Sequence, residues 1–416
     1  MSASSPEELP KSFCSLAWRY AQVDLQRGKV KACCKTPFHR VAETDLSTLG
    51  TGALFNNPDF QARRRAMLDG AYPSACKSCW DHENAGVPSY RQTAGANPIF
   101  ATPSSAADAL AEIRAAKPTH LELILATTCD LKCVYCDPDF SSAWEAEVRH
   151  HGLLPGQSAT WDTARGSKEF VEAFWRWFDE VVPTLRYVQF NGGEPLIQPQ
   201  FHRALDRLLA AMPNGMQVGM ISNLNTPPDA FKRFMARLPE LLDRFEFRVA
   251  VSQEAVGARA EYIRFGLSWA RFADNLERLT VALYPRPVHL APTLSALNIG
   301  AFTEYIAHIG QLAERTGAQF HWRPSIVHEP AHLSPLTLGK DATVWLAEAA
   351  EEAMRGGWTE LRDWLDAVAA SYLADDAKPS GIPQIAPEFL AALDERRSTS
   401  VAQVFPELSE CIDDAR

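Results

Sequence analysis

The chain has 416 residues, 46% hydrophobic and 22% charged, with 51 acidic against 41 basic residues and a formal charge of -10. That balance excludes wholesale disorder, a collagen repeat and a coiled coil, and it argues against nucleic acid as a partner. No apolar run approaches the roughly 20 residues of a membrane-spanning helix, and the opening MSASSPEELPKS lacks the apolar core of a signal peptide, so a cytoplasmic protein with no membrane partner is expected.

Residues 13–95 read as a small cysteine-rich module, in which Gly28 supplies a turn between two short strands within Ala21–Val30. Residues 96–117, with the stretch TPSSAADALAEIRAAKPTH, read as a linker helix. From 118 onward apolar runs alternate with amphipathic helices. Strands are expected over Leu121–Ala126, Tyr187–Phe190, Gln217–Ile221, Phe245–Val251, Val288–Leu294 and Gln319–Trp322. Helices are expected over 167–181, 199–212, 228–241, 267–283 and 301–316. The aromatic run at 174–178 has helical periodicity and reads as core. This α/β alternation predicts parallel strands with right-handed crossovers, and six strands over 118–335 fit a partial (β/α)6 barrel. Residues 336–416 read as a helical C-terminal region. An open doubly wound sheet is the alternative, but its first strand is normally followed by a glycine-rich phosphate loop. Here cysteines follow the first strand.

The nine cysteines stand at 14, 33, 34, 76, 79, 129, 133, 136 and 411, and 137–410 contains none. In a reducing compartment such clustered thiols point to metal or redox chemistry. Cys129, Cys133 and Cys136 form a C-x3-C-x2-C loop just past the first strand. Structural zinc asks for four ligands, whereas three thiolates around an iron–sulfur cluster leave one iron open to a substrate or cofactor; both readings fit the spacing. The second strand runs into Asn191-Gly192-Gly193-Glu194-Pro195. Two glycines let a ligand approach the backbone and a carboxylate can accept from an ammonium, although a tight turn alone would explain the pair.

Together these two motifs resemble the radical S-adenosylmethionine superfamily, over most of residues 118–330. The resemblance implies a [4Fe–4S] cluster on Cys129, Cys133 and Cys136, with S-adenosylmethionine at the open iron. It places Tyr135 near the adenine and Gly192, Gly193 and Glu194 at the methionine amino group. ValSerGlnGluAla resembles the ribose-contacting segment and nominates Ser252 and Glu254, the latter where aspartate is commoner. Arg264 matches an arginine used toward the cofactor carboxylate, with a solvated helix arginine as the alternative. Asn298 resembles a polar residue at the ribose or carboxylate, with an N-cap as the alternative.

The stretches around Cys14, Cys33–Cys34 and Cys76–Cys79 resemble the SPASM or twitch module, here N-terminal to the barrel although the module usually follows it. The resemblance implies an auxiliary iron–sulfur cluster, [4Fe–4S] or [2Fe–2S], on Cys14, Cys34, Cys76 and Cys79, with Cys33 as the alternative to Cys34. A zinc ribbon is the structural alternative. Successive strand residues face opposite ways, so one of the doublet is expected to be spare.

The implied activity is reductive cleavage of S-adenosylmethionine and hydrogen abstraction from a ribosomally made peptide, leading to oxidation, cross-linking, epimerisation or rearrangement. A flavodoxin- or ferredoxin-type reductant would serve it. The alternatives are a small metabolite substrate, such as a sugar, amino acid or nucleoside, and a non-catalytic electron carrier or scaffold. Weaker candidates are His328, Glu329 and His332 as a metal set, which Pro330 argues against, and Asp137, Asp139, Asn223, Asn225 and Arg323 as substrate contacts at strand ends. Cys411 is expected to be structural or exposed.

Overall fold

A computed structural model describes residues 8–157, 161–211, 215–374 and 387–408; Cys411 lies outside the described residues. Nine strands make the longer ladders: β1 (Tyr20–Asp24), β2 (Lys29–Lys31), β3 (His39–Arg40), β4 (His120–Ile124), β5 (Tyr187–Asn191), β6 (Met216–Ser222), β7 (Phe245–Val251), β8 (Val288–Leu290) and β9 (Phe320–Trp322). The chain divides into two compact units. One comprises Met1–Thr127, Asp162–Met220 and Arg237–Phe247, and the other Thr128–Trp161, Ile221–Ala236 and Arg248–Arg416.

In the first unit β1, β4, β5 and β6 run parallel, with Gln22 opposite Glu122, Glu122 opposite Gln189 and Gln189 opposite Gly219. On the other side of β1 the antiparallel strands β2 and β3 follow. Gly28, at a φ of +68°, makes the turn between β1 and β2, a conformation an L side chain resists. The cysteine-rich N-terminal segment thus shares one ladder with the first strand of the expected barrel. Helix Lys168–Val181 is capped by the Ser167 side chain and buries Phe170, Phe174, Trp175, Trp177 and Phe178, so the aromatic run is core. The expected linker helix is cut short. Residues 96–117 hold a 3-10 turn at Pro98–Phe100 and a six-residue helix, Ala106–Ala111, because Pro98 and Pro103 interrupt the backbone hydrogen bonds a longer helix needs.

In the second unit β7, β8 and β9 are parallel, with Leu290 opposite Val251 and Trp322. Two short ladders add to them. Lys132–Cys133 lies antiparallel to Arg264–Phe265, and Thr293–Leu294 parallel to Ser325–Ile326. Helix Trp269–Leu283 starts at the Ser268 cap, and helix Phe302–Thr316 ends at Gly317 in the left-handed conformation. Helices Lys340–Arg355, Thr359–Ala374 and Pro387–Arg397 follow. The molecule is a mixed α/β protein with parallel strands joined by helices. Among the described residues no helix is long and apolar enough to cross a membrane.

Candidate functional site

The loop bearing Cys129, Cys133 and Cys136 is held by its backbone before any ligand is considered. Ser142 Oγ accepts from the Cys129 N–H at 3.2 Å, Ser141 Oγ donates to the Leu131 carbonyl at 2.7 Å, and Trp144 Nε1 donates to the Cys133 carbonyl at 2.8 Å. Ser141 also caps the helix Ser142–His151 that follows, so the same short stretch ends the loop and begins the helix. Asp130 is gripped on both oxygens, by Asn223 Nδ2 at 3.2 Å and Asn225 Nδ2 at 2.9 Å. Asn223 Nδ2 also lies 3.9 Å from Cys129 Sγ. Asn223 and Asn225, nominated as substrate contacts, thus serve the loop. Asp130 and Trp144 were not foreseen, because neither is special in sequence until the loop closes on them.

Arg264 and Glu254 form a buried bidentate pair, with Nε to Oε1 at 3.0 Å and Nη2 to Oε2 at 2.6 Å. The Tyr135 hydroxyl donates to the same Glu254 Oε1 at 2.8 Å. Arg264 Nη1 reaches Cys133 Sγ at 3.7 Å and the Ser252 hydroxyl at 3.4 Å. Tyr135, Ser252, Glu254, Arg264 and Cys133 therefore meet in one polar knot, where Arg264 and Glu254 face each other. Burial opposes the charge of Arg264, and the Glu254 carboxylate more than offsets it, holding the guanidinium pKa well above its usual value. Burial pushes the Cys133 thiol up, against Arg264, and pushes Cys136 well up with Cys133 and Cys129 adding to the rise. Asn298 is occupied in its own loop: its Oδ1 accepts from the Ser295 N–H at 2.9 Å and its Nδ2 donates to the Thr293 carbonyl at 2.9 Å. It precedes the 3-10 turn Ile299–Ala301 without capping it through its side chain.

In the first unit, β5 leads into Gly192 and Gly193, both at positive φ, +78° and +55°. A Cβ on Gly192 would come 2.7 Å from Ile124 Cγ2, so only glycine lets this turn close on the end of β4. Gln198 Nε2 pins the turn, donating to the carbonyls of Gly192 at 3.1 Å and Ala126 at 3.0 Å. Glu194 is fully buried, and its Oε1 accepts from the Leu196 N–H at 3.1 Å as the cap of the turn Pro195–Ile197.

The N-terminal cysteines come from separate segments of the same unit. Cys14, Cys33, Cys76 and Cys79 line one cavity, together with Arg63, Trp80 and Arg91. Cys34, the expected member of the doublet, does not line it; the strand ends at Lys31, and the turn that follows, rather than the strand alternation expected from sequence, presents Cys33 to the cavity. Burial raises Cys14 to about 12 and also raises Cys76. A hydrogen bond between the Cys33 and Cys34 thiols raises the first and lowers the second to about 7. Arg91 stacks over Trp80 at 4.4 Å and donates to the Phe13 carbonyl at 2.9 Å, closing one wall.

A pocket of about 240 Å³ in the second unit borders the cysteine loop, with Tyr135, Cys136, Asp137, Asp139, Trp161, Glu329 and Phe389 among its lining residues. Arg323 is exposed at the end of β9. His332 is buried in the 3-10 turn Ala331–Leu333 against Phe389, and His328 is exposed, so these residues do not form the metal set considered from sequence. Among the described residues no three His, Cys, Asp or Glu side chains converge as a site for a single metal ion.

No protein-family model and no curated protein matches the chain. Similar solved structures include Streptococcus suis SuiB bound to precursor peptide SuiA, 11% identical over 89% of this chain and 70% of that one, with a TM-score of 0.35. Streptococcus suis SuiB bound to S-adenosylmethionine is 11% identical over 83% and 70%, with a TM-score of 0.36. TYW1 with a lysine-pyruvate adduct bound is 14% identical over 53% and 68%, with a TM-score of 0.27.

Proposed function

We propose that the chain is a radical S-adenosylmethionine enzyme acting on a ribosomally made peptide. The observation that carries the reading is the cysteine loop itself: three thiols at C-x3-C-x2-C spacing on a loop whose backbone is fixed independently of them. Such a donor set fits a cluster better than a single ion, since each thiolate serves its own iron and no convergence on one point is needed. Cys129, Cys133 and Cys136 would hold it. When bound, the cluster and S-adenosylmethionine supply reductive cleavage of the sulfonium and a 5'-deoxyadenosyl radical that abstracts hydrogen.

The protein's own groups orient that chemistry. Gly192 and Gly193 open the backbone at the end of β5, and Glu194 offers a fixed, fully buried carboxylate for the cofactor's ammonium. Arg264 steadies Cys133, Glu254 steadies Arg264, and Tyr135 steadies Glu254. In this reading the partial barrel, the N-terminal module and the helical C-terminal region keep the roles expected from sequence. The auxiliary cluster is held by Cys14, Cys33, Cys76 and Cys79, with Cys33 replacing Cys34 because it is Cys33 that lines the shared cavity. An intracellular flavodoxin- or ferredoxin-type protein supplies the electron.

The test is anaerobic reconstitution with iron and sulfide, reduction, and measurement of 5'-deoxyadenosine. The native chain should form it, and replacement of Cys129, Cys133 and Cys136 together by alanine should abolish it. Undiminished cleavage by the triple variant would end the reading.

A further inference from the structure

The four-cysteine cavity of the first unit is lined by cations as well as thiols. Lys35, Arg63 and Arg91 border it together with Cys14, Cys33, Cys76 and Cys79, and no described carboxylate does. Arg63 comes from the helix Pro58–Leu68, which the Asn57 side chain caps, and Met67, four residues on and so on the same helix face, lines the cavity with it. The next residue shows what a satisfied arginine looks like in this helix. Arg64 is fully buried, and its nitrogens donate to the carbonyls of Ala17, Phe55 and Ile113 at 2.7, 2.9 and 2.9 Å. Arg63 has no such set: its Nη1 is buried without a hydrogen-bond partner, and among the described residues no carboxylate pairs with it.

Arg91 stands in the helix Tyr90–Gly95, behind a capping box made by Ser89 and Gln92. Its guanidinium is fixed on three sides. Nη1 donates to the Phe13 carbonyl, Nη2 donates to Glu83, and the Trp80 ring lies beneath. The Ser89 hydroxyl holds the other oxygen of Glu83 at 2.5 Å. That leaves Nε of Arg91, which is buried and has no hydrogen-bond partner. Two buried guanidinium donors without acceptors, bordering one cavity that no carboxylate lines, are costly unless an anion meets them. Four thiolates around an iron–sulfur core make such an anion, and its negative charge grows by one on reduction.

We infer that Arg63 Nη1 and Arg91 Nε donate to sulfur atoms of the auxiliary cluster, and that the two guanidiniums raise its reduction potential by favouring the more negative, reduced form. The inference rests on the auxiliary-cluster reading above and adds to it the groups that tune the centre. Reduction takes one electron from an added donor, and no bond forms or breaks. Charge and hydrogen bonds at the sulfurs are the protein's means of setting such a potential.

The experiment is a dithionite titration of the full chain, reconstituted anaerobically with iron and sulfide and followed by electron paramagnetic resonance. Cys129, Cys133 and Cys136 are replaced by alanine in every sample, so that the signal belongs to the N-terminal cluster. Arg63→Gln strands no carboxylate, so it should keep the iron while disfavouring reduction about tenfold, a fall in midpoint potential of about 59 mV for one electron. Arg63→Lys should recover part of that fall, because the charge stays and the planar fork goes. Arg91→Gln, made together with Glu83→Gln so that no carboxylate is left alone, should move the potential the same way. Iron retained at an unmoved potential in Arg63→Gln overturns the inference and leaves the cluster reading standing. Iron lost from Arg63→Gln and Arg63→Lys alike also overturns it, since the arginine would then be structural. Zinc in place of iron in the chain with both arginines intact removes the auxiliary-cluster reading and the inference with it.

Discussion

The two cysteine sites are built in opposite ways. The loop at 129–136 carries its three thiols within eight residues and leans on polar groups from elsewhere in its own unit: Asn223 and Asn225 on Asp130, and Arg264 on Cys133. The N-terminal set draws its thiols from three separated stretches, at 14, 33 and 76–79, and encloses them in a cavity walled by Trp80 and Arg91. A local motif states its ligands outright and leaves its support to distant residues. A dispersed motif states neither, and it is the turn at 33–34 that decides which thiol lines the cavity.

The sharpest way to break this contrast is to empty one site and count iron in the other. If both hold four irons the native chain should carry about eight, and the Cys129, Cys133 and Cys136 triple alanine variant should keep about half, on the N-terminal set, while losing all 5'-deoxyadenosine formation. Zinc in the N-terminal set in place of iron would make that module structural. Next in size is the doublet. Cys33→Ala should remove the auxiliary iron and Cys34→Ala should leave it, as read by iron analysis and electron paramagnetic resonance; the reverse pattern would return the role to Cys34.

The support of the loop can be probed through its buried pair. Arg264→Met strands the fully buried Glu254 carboxylate and should cost about 3–5 kcal/mol, measured by chemical denaturation, with the double change Arg264→Met and Glu254→Met recovering much of it. Gly192→Ala sets a Cβ against Ile124 at a positive φ and should cost about 1–3 kcal/mol by the same measurement. Smallest is Asn225→Ala, which removes one of the two grips on Asp130 and should cost about 1–2 kcal/mol, with a faster loss of loop iron to a chelator than in the native chain.

Much of this molecule was legible beforehand where local patterning decides it. The strand Phe245–Val251 has the expected bounds, and helices such as Lys168–Val181 and Phe302–Thr316 begin within one residue of where periodicity and capping put them. The long run Val288–Leu294 proved to be two short strands, Val288–Leu290 and Thr293–Leu294, because Pro292 interrupts it. Illegible were the pairings that need three dimensions. Arg264 and Glu254 were each nominated for a cofactor contact, yet ten residues of chain fold them onto each other. The pairing of β1 with β4 was hidden for the same reason, although the alternation that makes their shared face polar lay open in YAQVD and HLELI.

Arg397, on the helix Pro387–Arg397, has its guanidinium against the rings of Trp144 and Phe265, at 4.7 and 4.8 Å, and Glu147 lies 3.6 Å away. Trp144 in turn holds the Cys133 carbonyl, so the back of the cysteine loop is closed by residues translated long after it. On the ribosome that wall must wait until the helix emerges. Packing of the cysteine loop is thereby tied to completion of this stretch of chain, so a protein ending short of Arg397 would leave the wall of Trp144 and Phe265 uncovered.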